Sequence, residues 1–280
     1  VPKELREAGF ATRKSLGQHF LSDTRILRRI ADACELTPAS VVVEAGAGTG
    51  ALTAELSKHA GRVVAVELDD KLCAYLRQRF EGTNVTVVCG DVRAEPPAEL
   101  LAQAGVEPPY TVAGNLPYYV AQPVLRHFLE GRPQPERLLV MVQAEVAESI
   151  VAQPPKMSLL GVSVQLFGEA ELLFRVPPSA FAPSPKVQSA VVRIDVAPQP
   201  RAGVRDTDAF FTVVRAGFSA PRKQLRNSLA RGLGVEPAVA SALLAAAAID
   251  ATLRPQALAL EQWSALTEAW LAPGRPGSGR

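Results

Sequence analysis

The chain has 280 residues, 48% of them hydrophobic and 21% charged, with 30 Lys and Arg against 28 Asp and Glu for a formal net charge of +2. That length suits one larger domain and a small second one, and the composition excludes a disordered or fibrous chain. No apolar run reaches the ~20 residues of a membrane span, and Cys34, Cys73 and Cys89 are too unevenly spaced for a disulfide framework or a zinc site.

In chain order, residues 1–13 read as mobile or helical, with no signal-peptide pattern, so the expected place is the reducing cytoplasm. Lys14-Ser15-Leu16-Gly17-Gln18-His19-Phe20-Leu21 is mixed and lacks periodicity. Ser22 or Asp23 is a good N-cap for a helix through Ile26, Leu27, Ile30 and Ala33, stopped by Pro38. Val41 to Ala45 is a continuous apolar strand, as a sheet buried on both faces requires. Gly46-Ala47-Gly48-Thr49-Gly50 follows at once, and a helix begins at Ala51.

Val63 to Glu67 is a second strand ending in an acid, and 68–80 a helix. Val85 to Cys89 is a third strand, running into Gly90-Asp91. Tyr110 to Ala113 is a fourth, running into Gly114-Asn115-Leu116-Pro117-Tyr118, with an apolar helical pattern from Tyr119 on. Arg137 to Val142 is a fifth, followed by a helix through Val146 and Ile150. This alternation predicts an α/β fold with a doubly wound parallel sheet. Glu67, Asp91 and Asn115 then line the strand-end edge of the sheet beside the glycine turn, where open α/β sheets bind ligands.

After Pro154 and Pro155, Leu159 to Phe167 reads as helix, and 171–176 and 189–196 as strands. Between those strands, Phe181-Ala182-Pro183-Ser184-Pro185-Lys186-Val187 reads as a proline-stiffened loop with an exposed aromatic and a base. Pro198 and Pro200 mark a boundary, followed by helical patterns at about 206–217, 221–232, 236–247 and 255–271. The expected domains are 1–200, 201–271 and a disordered tail at 272–280. Two stretches are basic. One carries Lys3, Arg6, Arg13, Lys14, Arg25, Arg28 and Arg29, and the other Arg201, Arg205, Arg215, Arg222, Lys223, Arg226 and Arg231. They suit a polyanionic partner, although most such charges only solvate helix faces.

The glycine turn alone names no ligand. Gly46-x-Gly48-x-x-Ala51 satisfies the dinucleotide fingerprint with Glu67 near the right distance, so a nicotinamide enzyme competes. The neighbouring residues point elsewhere. No hydride-transfer acid is evident near the fourth strand. Glu67 suits ribose hydroxyls, Asp91 suits an adenine amine, and the turn can hold a methionine carboxylate. Asn115 offers a carbonyl acceptor, Pro117 biases Leu116 toward an extended backbone, and Tyr118 offers a flat face. Together they favour S-adenosyl-L-methionine and an amine acceptor.

The chain resembles the ribosomal RNA adenine N6,N6-dimethyltransferase family, most closely its small-subunit (16S), kasugamycin-resistance type. The resemblance rests on Lys14 to Leu21, Glu44 to Gly50, Glu67, Gly90-Asp91, Asn115 to Tyr118, Phe181 to Val187 and Arg222 to Leu229, in that order along the chain. It implies a class I, Rossmann-like methyltransferase with a seven-stranded, mostly parallel sheet and a small all-helical C-terminal domain. It also implies dimethylation of two adjacent adenines near the 3′ end of 16S rRNA within a pre-30S subunit, without a metal, by a monomer. His19 stands where the family usually has Asn. Because that family segment closes over the donor partly through backbone, His19 and Leu21 join Gly46, Gly48, Glu67, Asp91 and Asn115 as expected cofactor contacts. Ala47 stands where proline is common.

Mechanism follows from the amine. Its lone pair is delocalised into the ring and its protons are not acidic. The expected solution is geometric, with Asn115 and the carbonyl of Leu116 or Pro117 accepting its two hydrogens, Tyr118 stacking on one face and Phe181 walling the other. Blander roles compete: Asn115 as a helix cap, Phe181 and Tyr118 as packing. Glu44 ranks below Glu67, either ordering the turn or meeting the donor's amine through water. The expected RNA contacts are Lys14, Lys186, Arg222, Lys223 and Arg226. The rival functions are a large-subunit, macrolide-resistance dimethyltransferase and an assembly factor whose rRNA binding outweighs its chemistry.

Overall fold

The computed structural model describes residues 19–117 and 120–272, so the expectations for Lys14, Tyr118, residues 1–13 and the tail from 273 lie outside the described residues. Chain contacts divide it into two compact units. One holds 19–147 and 170–196, the other 148–169 and 197–272.

The first unit is built on a seven-stranded sheet. Its strands are β2 (Val41–Ala45), β3 (Arg62–Glu67), β4 (Val85–Cys89), β5 (Thr111–Asn115), β6 (Arg137–Gln143), β7 (Gly168–Val176) and β9 (Ser189–Val196), in the order β4-β3-β2-β5-β6-β9-β7. The pairs from β4 through β6 are parallel, and β9 runs antiparallel to β6 with Val140 opposite Val192. Val42, Val43, Val63, Val64 and Ala65 are wholly buried, which explains why these strands read as unbroken apolar runs.

Helices pack on this sheet. In α1 (Thr24–Ala33) the Asp23 carboxylate caps the N-terminus, accepting from the Arg25 and Ile26 N–H groups. Leu27, Ile30 and Ala31 bury the apolar stripe of α1 in one cluster with Leu52 and Leu56 of α2 (Ala51–Leu56). Glu35, in a left-handed conformation at φ 54, follows the last helical residues, so the chain leaves the helix before Pro38 is reached. Further helices of this unit are α3 (Asp70–Arg79), α4 (Pro97–Gln103) and α5 (Ala121–Glu130). The helix that follows β6 is α6 (Ala144–Val151).

Three findings were not legible beforehand. The segment around Phe20 is a strand: β1 (Phe20–Leu21) pairs antiparallel with β8 (Phe181–Ala182), Leu21 opposite Phe181. Phe181, expected to be exposed, is 6% exposed. Such two-residue strands are too short to show a period, and their pairing spans most of the unit. Cys73 of α3 and Cys89 of β4 are joined as a disulfide pair with their Cα atoms 5.9 Å apart, because that helix packs on that strand; Cys34 is buried and free.

The second unit is helical: α7 (Leu159–Gln165), α8 (Thr207–Gly217), α9 (Leu225–Leu233), α10 (Pro237–Ala246) and α11 (Leu260–Leu271). The expected single boundary near residue 200 misses that 148–169 packs here. Phe167 meets Phe211 of α8 at 6.1 Å between ring centroids, and the Met157 N–H donates to the Gln256 carbonyl at 3.0 Å. Helix α9 starts four residues later than expected, at Leu225, and the 255–271 pattern is a short turn at Pro255–Ala257 followed by α11. Trp263 of α11 is wholly buried and stacks on Phe218, with Gly217 leaving room for its ring.

One glycine sets how closely the two central strands approach. A Cβ on Gly114 of β5 would sit 2.6 Å from the Ala45 carbonyl oxygen at the end of β2, an obstacle of backbone rather than of movable side chain. Gly114→Ala is therefore expected to lower stability by ~1–3 kcal/mol, read as a drop in the urea midpoint at unchanged slope.

Candidate active site

The strand order puts four chain segments side by side at the carboxyl ends of β4, β3, β2 and β5: Asp91, Glu67, the glycine turn and Asn115. With β1 and β8 they line one cavity of about 340 Å³. His19, Leu21, Gly46, Gly48, Glu67, Asp91 and Asn115, the expected cofactor contacts, all line it, and so do Leu116, Pro117 and Phe181.

The turn needs its glycines. Gly46, Gly48 and Gly50 have φ of +78°, +59° and +73°, a region that L side chains rarely enter. Around Gly46 nothing lies within 4 Å of where a Cβ would be, so that backbone is open to a ligand. At Gly48 the Phe20 ring lies 3.2 Å from the Cβ position, so β1 closes down on the turn. The turn is held from behind: Gly46 and Ala47 donate their N–H groups to the Val66 carbonyl, and Arg79 Nη1 donates to the Thr49 carbonyl at 2.5 Å.

Glu67 links turn to strand. Its Oε2 accepts the Gly48 N–H at 2.7 Å, and its Oε1 accepts the Leu68 and Asp69 N–H groups, each at 2.9 Å. Each carboxylate oxygen has two acceptor positions, so among the described residues one stays open on Oε2. Glu44, on β2 behind the turn, is 2% exposed and accepts the Thr53 hydroxyl at 2.5 Å. Burial, reinforced by the Glu67 charge and opposed by Thr53, pushes its carboxyl up to about 8. Asp91 is held below the usual carboxylate range by hydrogen bonds from Arg93.

At β5 the Asn115 side chain is oriented by the segment before α1. Asn115 Nδ2 donates to the His19 carbonyl at 3.2 Å. A carbonyl only accepts, so the amide nitrogen faces His19 and Oδ1 faces the other way. Pro117's carbonyl accepts the Val120 N–H at 3.0 Å, whereas the Leu116 carbonyl accepts no hydrogen bond among the described residues. The His19 ring contributes too: its Nδ1–H donates to the Pro183 carbonyl at 2.8 Å. Ser22 and Asp23 donate their N–H groups to the Ala180 carbonyl. Residues 19–23 are thus tied to the glycine turn, to Asn115 and to the strand carrying Phe181.

Among the expected RNA contacts, Lys186, Arg222, Lys223 and Arg226 are not part of the lining of this cavity. Lys186 is exposed in the first unit. Arg222, Lys223 and Arg226 are exposed in the second, around the first turn of α9. Sequence reasoning missed Arg79, Arg93 and Thr53. A base a turn past a motif carries no signal until the fold brings it back, but the hydroxyl nine residues after Glu44 could have been found from helical facing.

The ribosomal RNA adenine dimethylase family model matches residues 9–272. A ribosomal RNA small subunit methyltransferase A of Dehalococcoides mccartyi is 46% identical over 268 residues, 94% of this chain and 90% of that protein. Another protein of that name, from Desulfitobacterium hafniense, is 40% identical over 270 residues, 95% of each chain. Among solved structures, the 23S rRNA methyltransferase ErmE aligns with a TM-score of 0.69 at 28% identity, covering 89% of this chain and 98% of that one. A dimethyladenosine transferase from Plasmodium falciparum aligns at 0.72 and 23% identity over 89% and 96%, a likeness of fold. With a cavity whose acids, glycine turn and amide suit amine methylation, and a family match from end to end of the described residues, this chain belongs to the ribosomal RNA adenine dimethylase family.

Proposed function

We infer that this chain is the small-subunit rRNA adenine dimethyltransferase of its cell, methylating the N6 amines of two adjacent adenines in the 3′-terminal hairpin of 16S rRNA within a pre-30S particle in the cytoplasm. The observation that carries the site reading is the orientation of Asn115, whose Nδ2 donates to the His19 carbonyl while its Oδ1 accepts no hydrogen bond among the described residues. The two relatives described above for the small subunit are 46% and 40% identical, against 28% for the 23S rRNA methyltransferase ErmE, which favours the small-subunit substrate.

The described residues fit S-adenosyl-L-methionine. Glu67 keeps one acceptor for ribose, Asp91 offers a carboxylate to the adenine amine, and the bare backbone at Gly46 gives room for the methionine end. Glu44 lies behind the turn for the ammonium, directly or through water. When bound, the cofactor supplies an electrophilic methyl group on a sulfonium.

The chain's own task is to present a nitrogen lone pair to it. Asn115 Oδ1 accepts one hydrogen of the target amine. The Leu116 carbonyl accepts the other, in preference to that of Pro117, which already holds the Val120 N–H. Two acceptors on two hydrogens draw the nitrogen toward a tetrahedral shape and stabilise the positive charge that develops on it. Phe181 walls the base, with Tyr118 as the stacking partner on the other face. After one transfer an N–H is lost, so the second must proceed with a single hydrogen bond at the clamp. Lys14, Lys186, Arg222, Lys223 and Arg226 meet the RNA backbone.

Three outcomes are expected. Asn115→Ala lowers methyl transfer from labelled donor to under-methylated small subunits by at least ~10²-fold at saturating donor. Tight binding of NAD in place of S-adenosylhomocysteine would end the reading. Second, Glu44 without ligand stays protonated up to about pH 8, and a nearby ammonium lowers that value. Binding of S-adenosylhomocysteine at pH 7 then releases a proton, so affinity rises from pH 6 toward pH 8 and levels off above it. Glu44→Gln removes both the buffer-dependent heat and the pH slope in titration calorimetry. Third, charge reversal at Arg222 and Lys223 weakens small-subunit binding and flattens its salt dependence by about one unit of slope for each phosphate no longer neutralised, and an unchanged slope counts against them.

A further inference from the structure

Arg93 lies two residues past Asp91 and lines the same cavity, and the roles assigned above leave it out. Its side chain grips Asp91 with two prongs. Nε donates to Oδ1 at 2.9 Å and Nη2 to Oδ2 at 2.6 Å, while its backbone N–H also donates to Oδ1 at 3.0 Å. The planar guanidinium fork matches the edge of a carboxylate, so this contact fixes the plane of the group as well as its charge. Both side chains are about a third exposed, so the pair stands at the cavity wall and is not part of the core.

Counting acceptor positions sharpens the consequence. With two on each oxygen, Oδ1 is filled by two donors and Oδ2 by one. Among the described residues, one position of the Asp91 carboxylate stays open, on Oδ2, and its direction is set by the grip on the other three. A fixed, ionised acceptor with one opening selects a base that offers an N–H there. It rejects a base that presents a carbonyl, because two acceptors would then face each other without water.

We propose that Arg93 is a positioning residue for the base of the cofactor, holding Asp91 so that its single open acceptor meets an exocyclic amine and the site prefers adenine over a 6-oxo purine. This rests on the S-adenosylmethionine reading above. The guanidinium acts through Asp91 and itself touches no reacting atom.

The test is titration calorimetry of the intact protein with S-adenosylhomocysteine and with S-inosylhomocysteine, which carries oxygen in place of the amine. The unaltered protein is expected to prefer the adenine form by ~10²-fold or more. Arg93→Met should weaken the adenine form by about 10-fold and narrow the preference by a similar factor, with an unchanged thermal melt. Arg93→Lys, a point charge with one prong, should recover part of the preference. Equal weakening of both ligands, unchanged affinities, or tighter binding by Arg93→Met would each overturn the proposal. Failure of the unaltered protein to bind S-adenosylhomocysteine would instead sink the cofactor reading, and this inference with it.

Discussion

The hydrogen bond from the Gly48 N–H to Glu67 is the constraint on which the site depends. It joins the turn after β2 to the end of β3, so the register of two buried strands becomes the shape of a ligand cradle. The strands cannot slide, because Val42, Val43, Val63 and Val64 are sealed on both faces and a one-residue slip would turn each side chain to the other face. The turn cannot relax, because its glycines occupy conformations that the following helix and α3 both require. A Cβ on Gly50 would meet the Leu76 and Phe80 side chains at 2.6 and 2.8 Å. The placement of the acids is thus inherited from the core.

The same cradle shows two opposite uses of a carboxyl group. Among the described residues, the donors around Glu67 and Asp91 leave one acceptor position each, which makes them directional. Glu44 meets Thr53 and almost no solvent, and burial pushes its carboxyl up to about 8. Both kinds sit within one layer of the sheet edge because β2, β3 and β4 are neighbours.

Much of this was legible in the sequence because the sheet is parallel and buried. Val41 to Ala45, Val63 to Glu67 and Val85 to Cys89 announce themselves as apolar runs, and each is followed directly by its chemistry. The local rule that strand ends carry ligands then places Glu67, Asp91 and Asn115 without any long-range information. What was illegible depends on contacts distant in sequence. Strands Phe20–Leu21 and Phe181–Ala182 pair across the first unit on two residues each. Segment 148–169 joins the helical unit through Phe167 and Met157, neither of which differs in pattern from a sheet-packing residue. Arg93 and Asp91 are near neighbours in sequence, yet nothing in a motif says that the base turns back onto the acid.

The small β1–β8 ribbon joins parts of the site. Residues 19–21 press Phe20 against the cofactor turn, hold the Asn115 amide by the His19 carbonyl and hydrogen-bond along the strand of Phe181. A shift of this ribbon would therefore reach the glycine turn, the Asn115 amide and the strand of Phe181 in the same movement. The glycine turn and the Asn115 amide thus share one cover.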